Sequence, residues 1–481
     1  MISADEPAVA PRVLLVNLNR YDQPYPVYPL GLAYVAGALR NHEFDTKTWD
    51  ARMPVQSLEE CILSYKPDFI GLSLRNIDNV QCHNPKSFVH ELHEYCRRVR
   101  AVSPVPLILG GSGFSVFPKE LFEFAKVDYG IEGEGEETLP RLLKAIMSGS
   151  SFDGISGVHY RGKDGAVKHS PRNPSETVFT AEPYHDSGIL KGYLAEGSLP
   201  GVQTQRGCPL KCCYCTYPLI EGKRSRYRTG AEVAAEMARL AELGVKYTFI
   251  VDSVFNTRPD HVRDVCEALI RANLGIEWEC FLRPSRLITR EILEMMRAAG
   301  LRHVEFGSDS FSDPVLKRYG KSFCYQEIES VSQLAFELKL NYSHFLIVGG
   351  PGETPETLEE TIARAVALPG AYYFATIGMR VYPGTPLWRE INPEKNGEAA
   401  ADYLVEPRFY LSPGFTVNSV YSRLSAVRAQ AHNWIIGDPP PDFLVTMDKL
   451  RRRGVRGPMW EYVELLQRFE SVQAQATEPA K

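Results

Sequence analysis

Short apolar runs alternate with amphipathic segments along most of this chain, and no other feature of the sequence constrains the fold as strongly. In the first 150 residues the alternation predicts five strands separated by helices, with the strands near residues 13–16, 45–49, 68–74, 107–109 and 127–131. Strands that alternate with helices form a parallel sheet covered on both faces. We therefore predict a doubly wound, Rossmann-like α/β domain of the flavodoxin type over residues 1–150.

The same alternation returns after residue 200. It predicts six further strands, near residues 201–205, 246–251, 276–282, 303–307, 341–348 and 373–381. This pattern predicts a partial (β/α)6 barrel of the TIM type over residues 200–391, with its chemistry on the loops at the carboxyl ends of the strands. Residues 151–199 are predicted to be a linker with a hairpin. Residues 392–481 show only short helical patterns, which predict a small, mostly helical region with a disordered tail after Ser471.

Four of the ten cysteines stand within the segment Gly207-Cys208-Pro-Leu-Lys-Cys212-Cys213-Tyr214-Cys215. A chain of 481 residues has no need of a disulfide framework, so thiols this close together predict metal or cluster ligands. Zinc would require a fourth nitrogen or sulfur ligand, and no further His or Cys follows until His261. Three thiolates leave one iron of a [4Fe–4S] cluster open, as a reactive metal site requires. Cys213 is expected to be dispensable, because adjacent residues cannot both point at one cluster.

The glycine-rich turns of the first domain follow its fourth and fifth strands, at Gly110-Gly111-Ser112-Gly113 and at Gly133-Glu134. No phosphate-binding glycine motif follows the first strand, so a dinucleotide or P-loop site is unsupported. Glycine permits close approach of a bulky group, but tight strand–helix turns explain these residues equally well. The third strand ends in Ser73-Leu74-Arg75-Asn76, at the point where the flavodoxin-like strand order reverses and ligands bind.

Several of these motifs together resemble the cobalamin-dependent radical SAM enzymes. The spacing C-x3-C-x-Tyr-C matches the superfamily signature, and VEFGSDSFSDPVLKRYGK and FLIVGGPGET resemble its later strands. The segments YPLGL, LGGSG and YGIEGEGEETLP resemble the cobalamin-binding domain of these enzymes. The chain departs from the family in two places. The Gly-Gly-Glu after the second barrel strand reads Val251-Asp252-Ser253, and Asp309 stands where related enzymes often have Glu.

This resemblance implies a [4Fe–4S] cluster on Cys208, Cys212 and Cys215, together with S-adenosylmethionine and cobalamin as cofactors. It implies S-adenosylmethionine contacts at strand ends, from Tyr214, Asp252, Ser253, Arg283, Ser308, Asp309, Gly349 and Gly350. It implies cobalamin contacts from Ser73, Leu74, Arg75, Asn76, Gly110, Gly111, Ser112, Gly113, Gly133 and Glu134. Loop-end Asp and Ser also cap helices routinely, so each polar residue taken singly has a structural alternative.

The resemblance implies cobalamin in its base-off form, because the chain has no Asp-x-His-x-x-Gly to supply a histidine to cobalt. Arg75 is expected beneath the cobalt, where a guanidinium cannot coordinate. The alternative is that Arg75 points outward and pairs with a surface acid such as Asp78.

The function implied is methylation of an unactivated carbon, or of phosphorus, through a 5′-deoxyadenosyl radical and methylcobalamin. Two alternatives stay open. One is radical ring closure, contraction or oxidation without net methyl transfer, and the other is a corrinoid-binding redox regulator that is not an enzyme. The expected partners are a small-molecule, lipid or peptide substrate and an external one-electron reductant of the flavodoxin or ferredoxin type.

Composition excludes other partners. The net charge is −5, with 54 Lys and Arg against 59 Asp and Glu, so no basic surplus indicates nucleic acid. No apolar stretch approaches the ~18 residues that span a bilayer. The N-terminal segment lacks the pattern of a signal peptide. These features predict a cytoplasmic protein without a membrane span.

Overall fold

The computed structural model describes residues 10–172, 182–391, 393, 397–439 and 441–463. The strands of its first sheet are β1 (Arg12–Asn17), β2 (Asp45–Asp50), β3 (Phe69–Ser73), β4 (Leu107–Gly110), β5 (Tyr129–Ile131), β6 (Val158–Arg161) and β7 (Val167–His169). The accompanying helices are α1 (Leu30–Asn41), α2 (Leu58–Tyr65), α3 (Val89–Val102), α4 (Ser112–Val116), α5 (Pro118–Ala125) and α6 (Gly135–Ser148).

The first five strands are parallel and lie in the order β2-β1-β3-β4-β5, which confirms the predicted doubly wound domain. Val13 and Leu15 pack with α1 and α6 on one face of this sheet, while Leu14 and Val16 pack with α2, α3 and α5 on the other. Strands buried on both faces have continuous apolar sequences, which is why these strands could be predicted from the sequence. The hairpin of β6 and β7 adds antiparallel to β5, so the sheet continues past residue 150.

The second half of the structure is a partial barrel. Its strands are β8 (Gly201–Val202), β9 (Gln205–Arg206), β10 (Arg226–Tyr227), β11 (Tyr247–Ile250), β12 (Glu277–Leu282), β13 (Leu301–Asp309), β14 (Asn341–Val348), β15 (Tyr372–Ile377), β16 (Met379–Arg380), β17 (Phe409–Tyr410) and β18 (Trp434–Ile436). Its helices are α7 (Ser187–Ala195), α8 (Tyr217–Ile220), α9 (Gly230–Glu242), α10 (Pro259–Ala272), α11 (Arg290–Ala298), α12 (Asp313–Tyr319), α13 (Tyr325–Glu337), α14 (Pro355–Ala367), α15 (Pro386–Ile391), α16 (Ala400–Val405), α17 (Val417–Ala431) and α18 (Pro441–Arg452).

The barrel sheet is parallel throughout, in the order β18-β15-β14-β13-β12-β11-β8. Six of these strands were predicted, which confirms the partial barrel. The seventh, β18, comes from the region predicted to be helical, and three residues are too few to show a strand periodicity. Its Trp434 is buried, with its ring 4.6 Å from that of Tyr373 on β15. The predicted disordered tail lies outside the described residues.

The two halves pack directly against each other. One hydrophobic core contains buried residues of both halves, such as Phe117 and Leu387. Nε of Arg380, on β16, donates to Oδ2 of Asp78 at 3.0 Å, and both side chains are almost completely buried. A buried ion pair holds its two elements in one arrangement, because separating the charges would leave each of them unpaired. Within the described part of the chain, no helix is long and apolar enough to span a bilayer.

Candidate active site

A cavity of about 670 Å³ lies between the carboxyl ends of the two sheets. From the first domain it is lined by most of the predicted cobalamin residues, namely Ser73, Arg75, Asn76, Gly110, Gly111, Ser112, Gly113, Gly133 and Glu134. From the barrel it is lined by Phe249, Val251 and Phe281 at the ends of β11 and β12. Thr216 and Tyr217, which directly follow Cys215, also line it. The cavity therefore connects the glycine turns of the first domain with the cysteine loop.

An apolar arm of this cavity runs into the first domain between the sheet and the helices α1 and α6. It is lined by Leu15, Gly71 and Ile108 from three neighbouring strands. A Cβ at Gly71 would lie 3.0 Å from Cδ2 of Leu15, so a side chain there would crowd the arm. This arm was not predicted from the sequence. An isolated glycine within a buried strand was the signal, because such a glycine often marks a close approach.

The glycine turn after β4 accommodates the chain's own backbone. A Cβ at Gly111, which has φ +101°, would lie 2.5 Å from the carbonyl oxygen of Leu74. Gly113 donates its N–H to that oxygen at 2.9 Å, and Oγ of Ser112 donates to the Arg75 carbonyl at 3.1 Å. The Leu74 side chain is buried in the core and does not line the cavity. The turn thus holds the Leu74–Arg75 backbone in place, which sets the direction of the Arg75 side chain.

Arg75 is directed into the cavity. Its side chain keeps an exposed surface there, although protein surrounds it closely enough that burial lowers its pKa from the ordinary value. Nη1 donates to Oδ1 of Asn76 at 3.1 Å. The alternative partner, Asp78, is instead paired with Arg380. Since a guanidinium stays protonated, Arg75 places a positive charge inside the cavity.

The cysteine loop turns at Gly207, which has φ +86° and whose N–H donates to Oε2 of Glu221 at 3.0 Å. The N–H of Cys215 donates to the carbonyl of Cys212 at 3.3 Å. Burial, together with the nearby Cys212 and Cys208, raises the pKa of Cys215 to about 12, so its free thiol stays protonated at neutral pH. A bound metal stabilises the thiolates, so the donor set fits a metal cluster.

The Cys213 side chain packs against Met379. Its Sγ lies 3.7 Å from Sδ of Met379, and the residue belongs to the core that the two halves share. Its N–H donates to the carbonyl of Tyr319 at 2.9 Å. The side chain therefore packs as a small apolar group.

Tyr214 and Asp309 form a buried network behind the cysteine loop. Oη of Tyr214 donates to Oδ2 of Asp309 at 2.6 Å, and Nζ of Lys321 pairs with the same oxygen at 2.5 Å. Nζ of Lys321 also donates to the carbonyl of Gly307 at 3.1 Å. Lys321 was not identified from the sequence, because nothing in its spacing links it to the cysteines. These contacts anchor the loop and occupy the Asp309 carboxylate.

Two predicted S-adenosylmethionine contacts have polar atoms without a partner. Oγ of Ser253 and Nε of Arg283 are both buried, and neither has a hydrogen-bond partner among the described residues. They follow the neighbouring strands β11 and β12. The side chain of Asn256 fixes the Arg283 backbone through bonds of 2.8 and 2.9 Å. Because buried polar atoms are nearly always bonded, this pair fits a polar ligand at the barrel mouth.

Four other predicted contacts are already satisfied within the protein. Asp252 accepts from the Thr204 N–H at 2.7 Å and from the Gln205 N–H at 3.1 Å. Oγ of Ser308 is bonded to Nδ1 of His344 at 2.8 Å inside the barrel. A Cβ at Gly349 would collide with Leu411, and one at Gly350 would collide with Tyr319. These residues support the barrel rim, and we assign none of them a ligand.

Glu134 forms ion pairs across the two halves. Its Oε2 lies 3.0 Å from Nη1 of Arg206 and 3.0 Å from Nη1 of Arg226. Burial alone would raise the pKa of Glu134, but the two guanidinium groups outweigh it and hold the pKa below its ordinary value. A Cβ at the adjacent Gly133 would lie 2.5 Å from Nε of Arg172. The turn after β5 is therefore joined to the strands that flank the cysteine loop.

Comparison with known families agrees with this architecture. Residues 22–143 match the model of the B12 binding domain, and residues 202–365 match that of the radical SAM superfamily. The chain belongs to the cobalamin-dependent radical SAM family. The predicted cofactors are thereby confirmed at the level of the two domains, and the chain is an enzyme of this family.

The chain is also similar to individual relatives and to solved structures. An uncharacterized methyltransferase of Pyrococcus horikoshii is 28% identical over 368 residues, covering 75% of this chain and 77% of the relative. An anaerobic magnesium-protoporphyrin IX monomethyl ester cyclase of Rubrivivax gelatinosus is 26% identical over 377 residues, 74% of this chain and 65% of the relative. The radical S-adenosylmethionine methyltransferase TsrM of Kitasatospora setae, solved with cobalamin and a [4Fe–4S] cluster, superposes with a TM-score of 0.85 at 24% identity, covering 97% and 100%. This likeness confirms the fold.

Proposed function

We propose that this enzyme transfers a methyl group from S-adenosylmethionine to a carbon atom of a small molecule. The observation that carries the proposal is a single cavity that both domains line, with the Arg75 turn on one wall and Tyr217, beside the cysteine loop, on another. A cofactor on the first domain and a cofactor on the barrel would then face the same bound substrate. Proximity of this kind lowers the entropic part of a reaction barrier.

Cys208, Cys212 and Cys215 hold the cluster in this proposal. They stand on one short loop that follows β9, on which the N–H of Cys215 donates to the carbonyl of Cys212 at 3.3 Å. Cys213 is excluded because its side chain is fixed against Met379 in the core. Tyr214 positions the loop from behind through Asp309 and Lys321.

Cobalamin is held by the glycine turns and by the apolar arm. The arm, lined by Leu15, Gly71 and Ile108, has the apolar walls that would take the tail of a base-off cofactor. Arg75 and Asn76 would contact cobalamin bound there, and the described residues that line the cavity include no histidine. Ser253 and Arg283 hold the polar part of S-adenosylmethionine, because they offer the unpaired atoms at the barrel mouth. When bound, the cluster would supply the electron that cleaves S-adenosylmethionine to a carbon radical, and cobalamin would supply a carrier for a methyl group.

The substrate lies against Phe249 and Phe281, which line the barrel side of the cavity. Aromatic walls exclude water from a radical intermediate and give an organic substrate apolar contact area. We propose a small organic molecule as the acceptor, an external one-electron reductant of the flavodoxin or ferredoxin type, and a cytoplasmic location.

The test is an anaerobic reaction with purified, cluster-loaded and cobalamin-loaded protein, reductant, and S-adenosylmethionine with a deuterated methyl group. Candidate acceptors are supplied from an extract of small molecules. The expected result is S-adenosylhomocysteine together with a product that has gained the deuterated methyl group. A matched Cys212→Ala protein should form neither, whereas Cys213→Ala should form both.

Other outcomes identify the alternatives. 5′-Deoxyadenosine with a modified product that carries no label would indicate ring closure or oxidation without methyl transfer, the class to which the cyclase relative's name belongs. Loaded protein that turns over no S-adenosylmethionine with any acceptor would favour a redox regulator. Either result would overturn the proposal of methyl transfer.

A further inference from the structure

We propose that Glu132, His159 and His169 form a binding site for a divalent ion of the zinc class, outside the active-site cavity. We call these three residues the sheet-edge site. They lie at the edge of the first sheet, where β5 ends and the β6–β7 hairpin adds to it. Two imidazoles and a carboxylate are a ligand set that zinc uses with three protein groups.

The distances between the ligand atoms carry the proposal. Nε2 of His159 lies 3.4 Å from Oε2 of Glu132, and Nε2 of His169 lies 3.7 Å from the same oxygen. All three ligand atoms lie within 4.8 Å of one another. Hydrogen bonds between a nitrogen donor and a carboxylate oxygen are shorter than these two distances, at about 2.7–3.2 Å. Two ligands each bound at ~2.1 Å in tetrahedral geometry lie roughly 3.4 Å apart. The separations therefore suit ligands that surround an ion better than hydrogen-bonded partners.

The backbone places these side chains together. His159 and His169 are cross-strand partners in the hairpin, so both rings project from the same face of the sheet. Their ring centroids lie 4.6 Å apart. The His159 ring is buried and makes an edge contact with Phe114 at 5.8 Å. A ligand that packing has already fixed loses little conformational entropy when it binds a metal.

A neighbouring cation, Arg172, does not compete for the site. Arg172 lies beside Gly133, but its guanidinium donates to the carbonyls of Leu219 and Ile220. His169 keeps 43% of its side-chain surface exposed, which gives an ion a path from solvent. Three protein ligands leave a fourth position for water.

An ion here would act on the active site through the backbone. Glu132 precedes Gly133 and Glu134, which line the cavity, and Glu134 is paired with Arg206 before the cysteine loop. A metal would connect this turn to the hairpin. Because the metal would bind the folded state and not the unfolded chain, it would also stabilise the folded state. The proposal does not depend on methyl transfer, because the site lies outside the cavity.

The test is a titration of cluster-loaded protein with Co²⁺ under anaerobic conditions. We expect one equivalent to bind and to give d–d absorption without the charge-transfer band of cobalt–thiolate bonds, and Zn²⁺ should displace it. His169→Ala should weaken binding by at least about tenfold, because even partners outside the ligand shell contribute that much. Glu132→Gln should do the same, and Zn²⁺ should raise the melting temperature of the wild type but not of these two variants.

The control is His90→Ala, which removes an exposed histidine on α3 of the same domain. It should bind Co²⁺ like the wild type. Because His169 is partly exposed at the end of a hairpin, its replacement should leave the fold intact, and a circular dichroism spectrum checks this. Wild-type protein that binds no Co²⁺ at millimolar concentration would overturn the proposal. So would equal binding by His169→Ala, or a spectrum showing only thiolate ligation.

Discussion

Oε2 of Glu134 lies 3.0 Å from Nη1 of Arg206, and this contact joins the two halves of the enzyme beside the cavity and the cysteine loop. Glu134 belongs to the turn after β5 that lines the cavity, and Arg206 ends β9, two residues before Cys208. Both side chains are largely buried. The contact therefore ties the position of the cysteine loop to that of the first domain.

Glu134→Gln should destabilise the protein and loosen this junction. The substitution removes the carboxylate charge that Arg206 and Arg226 both contact, and breaking a buried pair costs on the order of 3–5 kcal/mol. Anaerobic urea unfolding should show the loss. The control is Glu94→Gln, which removes an exposed pair with Arg97 and should leave the unfolding midpoint almost unchanged. Equal midpoints for Glu134→Gln and the wild type would show that the junction contributes nothing.

Cys213→Ala should retain the iron and sulfide of a [4Fe–4S] cluster, whereas Cys212→Ala should lose both. The Cys213 side chain contacts Met379 in the core, whereas Cys212 stands at the signature spacing C-x3-C-x2-C with Cys208 and Cys215. Each variant is reconstituted anaerobically and analysed for iron, sulfide and visible absorbance. The assignment is reversed if Cys213→Ala is the variant without a cluster.

Arg75→His should add a nitrogen ligand to bound cobalamin. In the wild type Arg75 stands in the cavity and cannot coordinate, since its guanidinium has no lone pair to offer. The EPR spectrum of the cob(II)alamin form should therefore be four-coordinate in the wild type and show nitrogen superhyperfine splitting in Arg75→His. Arg75→Ala, which removes the positive charge, should admit water as a ligand. Nitrogen coupling in the wild-type spectrum would contradict the placement of Arg75.

The free energy of unfolding should fall as the pH rises towards 7, and Asp252→Asn should reduce the slope of this pH dependence. Burial raises the pKa of Asp252 to about 7, so the folded state binds the proton more tightly than the unfolded chain does, where the pKa is ~3.9. Its contribution to stability is complete below pH ~4 and is lost as the pH rises through 7, at up to about 1.4 kcal/mol per pH unit. Asparagine imitates the protonated carboxyl and has no such dependence.

The measurement for Asp252 is anaerobic urea unfolding at three pH values between 5 and 7.5. Glu305, whose pKa burial raises to about 8, contributes a slope of the same sign that Asp252→Asn leaves in place. The two proteins should therefore differ in slope, with the larger slope in the wild type. Parallel slopes would mean that Asp252 is ionised in the folded protein across this range.

Local sequence was enough to predict both sheets and to single out the cysteine loop. Strands buried on both faces leave continuous apolar runs, and the spacing of Cys208, Cys212 and Cys215 is typical of cluster ligands. Strand β18 escaped prediction because its three residues gain their stability from pairing with β15, which is distant in the chain.

The tertiary structure alone decided what each polar residue does. Asp252 and Ser253 are adjacent in sequence and were equal candidates, yet the Asp252 carboxylate accepts from the Thr204 backbone, and the Ser253 hydroxyl has no hydrogen-bond partner in the described part of the chain. In the same way, the absence of a Cβ at Gly111 leaves room for the backbone carbonyl of Leu74, which directly follows β3. Sequence determines which groups a loop carries. Which of them reach a ligand depends on partners dozens of residues away, and those partners are brought near only when the sheets pack.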